Sequence, residues 1–456
     1  MSVLKALFKI SGGIHPPYRK TRTAGAAIRA MPLPPLLRVS MLQHLGAPAK
    51  PTVQKGDTVL RGQRIGEPGG FISAAVHAPT SGTVRAVDEF DTAAGMKALA
   101  VEIEPDGQDR WVDGITPHPD WAGMDPKALI ARVAEAGIAG MGGAGFPTHV
   151  KLSPPAGKSI NTLIVNGAEC EPYLTADHRL MVERAPDIWT GIRILRRIVG
   201  AATVRVAIED NKPDAIAALD RAIAAAPDGD AAVMVLPTAY PQGAEKQQIF
   251  AATGREVPAG GLPMDVGALV ENVGTALAVW DAVVNGRPLT ERVTTVTGTP
   301  VAEPANVLNR LGTPYADLLA FCGGATGKVG KVVSGGPMMG FAQHTLDVAT
   351  IKTTSGFLVL APAEIVEFSC APCLSCGRCV AACPMRLTPA DISLMIEAED
   401  YEGAEALHVL DCIECGCCAF DCPARRPLVQ HMKQGKARIM NKRRHKQQQE
   451  QQKAKS

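Results

Sequence analysis

The chain has 456 residues, of which 46% are apolar, 20% charged and 4% aromatic, with 45 Gly and 35 Pro. That length exceeds what one core ordinarily holds, so several turn-rich, glycine-lined domains are expected rather than a long helical bundle. A formal net charge of +2 leaves no broad electrostatic footprint for nucleic acid, and nucleic-acid binding is excluded as a principal role.

In chain order, an N-terminal arm over residues 1–35 carries neither the apolar run nor the cleavage pattern of a signal peptide. No later run approaches the roughly 18 to 20 apolar residues that a membrane-crossing helix needs. A cytoplasmic protein is therefore expected. Residues 36–115 contain Lys55-Gly56-Asp57 and His77-Ala78-Pro79-Thr80-Ser81-Gly82 among short alternating strands, a pattern that resembles the small barrel-sandwich (lipoyl-like) domain. The carrier lysine of such domains is replaced by Gly69-Gly70-Phe71, and Lys97 lies outside the hairpin. A docking surface is expected there rather than a swinging arm.

Residues 116–285 read as an α/β domain. Helix-forming residues from Asp125 to Ala136 lead into Gly137-Ile-Ala-Gly140-Met-Gly142-Gly143-Ala-Gly145-Phe146, with Lys151 following. Glycines this dense let backbone N–H groups approach a phosphate or a flat ring, although a tight turn alone would also use them. The strand Thr162–Val165 ends in Asn166-Gly-Ala-Glu169-Cys170-Glu171. Polar and acidic residues beyond the carboxyl end of a buried strand sit where α/β sheets take ligands. The alternative is that Glu169 and Glu171 cap the helix that follows. Residues 286–345 alternate Val293 and Val296 with turn residues and then run from Leu308 to Leu319 as a short helix, a pattern that resembles a small β-grasp (SLBB-like) module.

Residues 346–435 hold a linker and ten of the chain's twelve cysteines. Two runs, beginning at Cys373 and Cys412, both read C-x2-C-x2-C-x3-C-P. This spacing wraps three thiolates around one cubane and sends the fourth to the other cube. One cluster is thus expected on Cys373, Cys376, Cys379 and Cys422, and its partner on Cys383, Cys412, Cys415 and Cys418. Leu374, Val380, Ile413 and Phe420 are expected to shield the cubes, while Cys370 and Cys417 fall outside the register. Thr388-Pro389 starts one helix and a second is expected near Glu402 to Leu410, giving an α-helical ferredoxin-type domain with two [4Fe–4S] clusters. Four-thiolate zinc sites are the alternative, but they rarely use two continuous quartets, each closed by proline. Residues 436–456 are basic and Gln-rich, and a disordered tail is expected.

The glycine loop, the Asn166–Glu171 segment, Tyr240-Pro-Gln-Gly243-Ala-Glu245 and Glu271-Asn272-Val-Gly-Thr275 resemble, in that order, the flavin- and NADH-binding subunit of respiratory complex I. With two ferredoxin quartets behind them and Ser11-Gly-Gly-Ile-His-Pro-Pro17 ahead, the chain resembles the C subunits of Rnf ion-translocating electron-transport complexes. The resemblance implies a non-covalent FMN held by Gly140, Gly142, Gly143, Gly145, Lys151, Asn166, Gly243, Asn272 and Thr275. It implies an NADH side lined by Phe146, Glu169, Glu171 and Glu245. Met141, Ala168 and Glu271 depart from the complex I pattern. A multidomain α/β and α+β fold is implied, in an NADH-linked oxidoreductase subunit lying peripherally on the cytoplasmic face of the inner membrane. Its partners would be integral membrane and iron–sulfur subunits, with ferredoxin or flavodoxin reached indirectly. No protein acid–base catalyst is expected, because hydride transfer to a flavin requires none. A soluble flavin and iron–sulfur corrinoid reductase and a zinc-bearing scaffold are the competing readings.

Overall fold

Residues 3–455 are described by the computed structural model. The largest sheet is parallel throughout, in the order Val3–Lys5, Asp230–Leu236, Thr203–Glu209, Thr162–Asn166 and Ala268–Asn272. Thr162–Val165 and all of Ala268–Asn272 are buried, as strands covered by helices on both faces must be. Helices Pro126–Glu135, Ala185–Val199, Pro213–Ala225 and Val273–Val284 supply much of that cover. The first opens with the Asp125 side chain accepting the Lys127 amide and with Pro126 at its first position, as the sequence indicates. Ala185–Val199 and Val273–Val284 approach so closely that a Cβ on Gly191 would stand 1.9 Å from the Ala276 carbonyl oxygen.

The barrel-sandwich domain pairs a four-stranded sheet with a three-stranded one around Val39, Ile65, Val84 and Ile103. Its final long strands, Gly82–Asp91 and Lys97–Pro105, form an extended antiparallel ribbon. The β-grasp module is a mixed six-stranded sheet packed against helix Tyr315–Phe321. Here the structure departs from expectation. Residues Ala305–Arg310 form a strand paired with Glu291–Thr297, and the helix begins only at Tyr315. Ala305, Asn306, Val307 and Asn309 are buried along it, and Leu308–Arg310, expected to open the helix, belong to this strand. Strand Gly356–Leu360 pairs within the same sheet, so the module extends beyond residue 345.

The N-terminal arm is divided between domains. Val3–Lys5 forms the edge of the parallel sheet and Arg29–Ala30 the edge of the β-grasp sheet. Helices Arg378–Ala382, Pro389–Glu397, Tyr401–Ala406 and Cys417–Phe420 form the cysteine-rich domain. The tail is a correction: helix Leu428–Lys455 runs through the segment expected to be disordered, and Ser456 lies outside the described residues. Buried Met432 and Ile439 anchor the helix, and Lys436, Lys442 and Arg443 pair with Glu414, Glu402 and Glu405. Lys, Arg and Gln are strong helix formers once a packed first turn nucleates them. Among the described residues, no helix is long and apolar enough to cross a membrane.

Candidate functional site

Strands Thr162–Asn166 and Ala268–Asn272 end side by side, with Asn166 opposite Asn272. Asn272 is the N-cap of helix Val273–Val284: its Oδ1 accepts the Gly274 amide at 2.7 Å, and its Nδ2 donates to Asp177 at 2.7 Å. Thr275 Oγ1 accepts the Met141 amide at 2.9 Å, tying the glycine loop to that helix start. The Gly140 amide closes the loop on the Phe146 carbonyl at 2.8 Å. Gly142, Gly143 and Ala144 are exposed at its tip, and Phe146 is half-buried. At Gly142 φ is +75° and a Cβ would stand 2.8 Å from Asn272 Nδ2, so no other residue fits without displacing the cap. A Cβ on Gly143 would meet nothing within 4 Å. The open space there leaves room for a ligand.

Below the loop, the Lys151 ammonium donates to Glu245 Oε1 at 2.9 Å and to the Val270 carbonyl. Glu271 is a third ionisable group here. Burial pushes its carboxyl up to about 7, against the pull of Lys151. Its Oε1, and Oε1 of Gln242, are buried without a hydrogen-bond partner among the described residues. Asn166 Nδ2 donates to the Gly243 carbonyl at 2.9 Å, and Asn166 Oδ1 accepts from Gln248 at 2.8 Å and from the Ala168 amide at 3.1 Å. The predicted flavin residues thus converge on one region, but Asn166, Asn272 and Thr275 spend their side chains bracing it.

The acidic pair behaves differently. Glu169 accepts the Asp177 and His178 amides at 2.8 and 3.1 Å, so it does cap the helix that follows, Ala176–Glu183. Glu171 reaches instead to the Met338 and Met339 amides, at 3.1 and 2.8 Å, in the β-grasp module. Burial pushes both carboxyls up to about 7. Sequence reasoning missed Lys20 of the N-terminal arm. Its ammonium donates to the carbonyls of Glu169, Glu171 and Leu174 at 2.7, 2.9 and 2.5 Å and holds the acidic loop in shape. A single lysine beyond the opening motif has no spacing to announce it.

The cysteines line two separate hollows. Cys383, Cys412, Cys415 and Cys418 surround one, with Cys417 also in its lining, and Cys373, Cys376, Cys379 and Cys422 surround the other. Each takes three thiols from one run and the fourth from the other. Backbone amides point at the sulfurs: Ser375 to Cys373 at 3.4 Å, Glu414 to Cys412 at 3.3 Å and Leu387 to Cys383 at 3.4 Å. Such donors stabilise thiolate charge. The first hollow is pressed against the flavin-type domain. Tyr240 OH donates to the Cys415 carbonyl at 2.7 Å, Gln247 Nε2 to the Pro384 carbonyl at 3.0 Å and the Gly13 amide to the Ala382 carbonyl at 3.0 Å. Cys417, outside the register, is fully buried in that wall beside Cys170 and Ile14. The second hollow faces outward. Leu374, Val380 and Phe420, expected as shields, are 65%, 41% and 51% exposed.

A glycine loop at the carboxyl ends of a parallel sheet, in a domain that packs against the first of two cysteine-lined hollows, is the make-up of a nucleotide-linked electron-transfer protein with a flavin domain and a ferredoxin-type domain. Family comparison supplies the rest. The Nuo51 FMN-binding domain matches residues 133–281, the RnfC barrel sandwich hybrid domain residues 8–108 and the SLBB domain residues 293–342. The chain is 47% identical to the C subunit of the proton-translocating ferredoxin:NAD(+) oxidoreductase complex of Clostridium ljungdahlii, over 92% of each chain. It is 45% identical to the Na(+)-translocating counterpart of Acetobacterium woodii, over 97% of this chain and 99% of that one. The C subunit of the ion-translocating oxidoreductase complex of Pseudomonas aeruginosa is 46% identical, over 96% of this chain and 57% of that protein. The chain belongs to the family of Rnf complex C subunits.

Proposed function

We propose that this chain is the NAD(H)-facing subunit of an Rnf-type complex. It exchanges electrons between NAD(H) and ferredoxin or flavodoxin through FMN and two [4Fe–4S] clusters. It lies peripherally on the cytoplasmic face of the inner membrane, beside integral membrane and iron–sulfur subunits. Relatives of this family match over nearly the whole chain, which favours this reading over a free-standing corrinoid reductase.

The carrying observation is the shared wall between the flavin-type domain and the first cysteine hollow, bridged by the Tyr240 hydroxyl on the Cys415 carbonyl. Thiolates on one zinc ion would crowd within about 4 Å of one another. Hollows that each gather three thiols from one run and the fourth from the other suit a cubane, which supplies one-electron chemistry.

FMN, when bound, converts a two-electron hydride into single electrons. The exposed glycine tip admits a flat ring, and Lys151 supplies a buried positive charge to balance an anionic one. Helix Val273–Val284 points its N-terminus at the same loop, which favours a phosphate. The wall formed by Tyr240, Cys417 and Ile14 excludes water between the flavin side and the inner hollow. The test is anaerobic purification followed by NADH titration with optical and paramagnetic detection. Flavin bleaching together with two cluster signals is expected; zinc without iron, or a chain inert to NADH, overturns the reading.

A further inference from the structure

The barrel-sandwich domain reaches the flavin-type site through two loops, residues 42–47 and 68–73. They are bonded into one rim. The Ala47 amide donates to the Ile72 carbonyl at 2.9 Å, Ser73 Oγ to the Ala47 carbonyl at 2.8 Å, and the Ala74 amide to His44 Nε2 at 2.9 Å. Their approach demands glycine: a Cβ on Gly46 would lie 2.1 Å from the Ile72 carbonyl oxygen, and one on Gly69 would lie 2.1 Å from that of Pro48.

The rim is fastened to the glycine loop itself. The Leu45 amide donates to the Gly145 carbonyl at 3.0 Å. Beneath it, the fully buried Lys352 ammonium donates to the Ala75 and Gly137 carbonyls, each at 2.6 Å, and locks the barrel-sandwich domain to the start of the glycine loop. What the rim presents to solvent is apolar: Phe71 is 83% exposed, Leu45 52% and Ile72 37%. The hydrogen bonds of the rim hold these side chains together beside the open loop, where apolar exposure that is grouped rather than scattered marks a binding surface.

We propose that Phe71, with Leu45 and Ile72, forms an apolar platform for the adenine ring of NAD(H). The barrel-sandwich domain would thereby complete a dinucleotide subsite that the flavin-type domain leaves open. The inference rests on the NAD(H) reading above. The occupant follows from continuity: the glycine loop that the rim grips is the candidate flavin cradle, and a dinucleotide engaged there carries a second aromatic base that needs a flat apolar partner. The hairpin that carries a lysine in lipoyl-like domains carries Phe71 here, exchanging a covalent arm for a stacking surface.

The experiment compares NADH with reduced nicotinamide mononucleotide, which lacks the adenylate half, on the FMN-loaded full chain and its Phe71→Ala and Phe71→Trp variants. Base–aromatic stacking predicts that Phe71→Ala raises KM for NADH roughly 5- to 150-fold. Phe71→Trp should stay near the parent value, and the shift should disappear when the mononucleotide replaces NADH. A KM for NADH within twofold of the parent overturns the platform. An equal shift with both reductants also overturns it, since the flavin site itself would then have moved. A parent chain whose flavin accepts electrons from dithionite but from neither nucleotide overturns the NAD(H) reading, and the platform with it.

Discussion

The two cysteine hollows share a backbone and differ in their neighbours. In both runs the residue before the second cysteine, Ser375 or Glu414, and the glycine after it, Gly377 or Gly416, have positive φ, as do Arg386 and Arg425 beyond the closing prolines. The loops are one design used twice, since left-handed turns aim consecutive amides at the sulfurs. Around the hollow that includes Cys412, three of the four thiols are buried, and the flavin-type domain and N-terminal arm close the wall. Around the one that includes Cys376, that thiol and Leu374 in its lining stand open to solvent. The cage comes from spacing, but its place in an electron path comes from what packs against it. On the proposed function, the inner hollow would receive from or return to the flavin side, and the outer one would meet another protein.

The harshest way to break this comparison is to remove one ligand from each cage. Cys412→Ala should abolish the inner cluster signal and, with it, NADH-driven reduction of the outer one, a loss of several orders of magnitude in rate. Cys376→Ala should leave the flavin and inner cluster reducible by NADH, while electron delivery to membrane partners stops. Freeze-quench paramagnetic spectra of the two variants distinguish them; indistinguishable spectra would sink the order of the path.

Tyr240→Phe is gentler. It strands the buried Cys415 carbonyl, at about 1 to 3 kcal/mol. Only the inner hollow has this bridge, so urea should bleach the inner cluster at a lower concentration in the variant and leave the outer midpoint unchanged. Equal shifts at both clusters would mean that the wall is not specific to the inner one.

Much of this was legible in the sequence because it depends on short spacing. The cysteines of each expected quartet line one hollow, with Cys417, outside the register, beside the first, and Asp125-Pro126 and Thr388-Pro389 mark real helix starts. What was not legible depends on distant partners. Val3–Lys5 is a strand because Val233–Val235 lies beside it, and Lys20 matters because three carbonyls of a remote loop converge on it. The exposure of Leu374, Val380 and Phe420 is likewise set by their surroundings, which no local pattern records. Glu169 illustrates both sides. Its position at a strand's carboxyl end suggested a ligand contact, and its carboxylate caps the Ala176–Glu183 helix.

The smallest expected effect sharpens the flavin side of the comparison. Glu271 is buried beside Lys151 and Glu245, and its carboxyl is raised from an ordinary 4.5 to about 7. Between these values the folded chain holds a proton that the unfolded chain has lost, so this group makes stability fall as pH rises through that window and level off above it. Glu271→Gln removes that penalty while Lys151 gives up part of its pairing. Its melting temperature should therefore match the parent's at pH 5 and exceed it by roughly 2 to 4 °C at pH 8. Thermal melts at the two pH values decide the matter. An equal difference at both would show that Glu271 titrates normally and that the region beneath the glycine loop is wetter than its burial implies. FMN loading should enlarge the pH 8 difference if the cofactor's negative charge lies near this carboxylate, and leave it unchanged if Lys151 shields the two from each other.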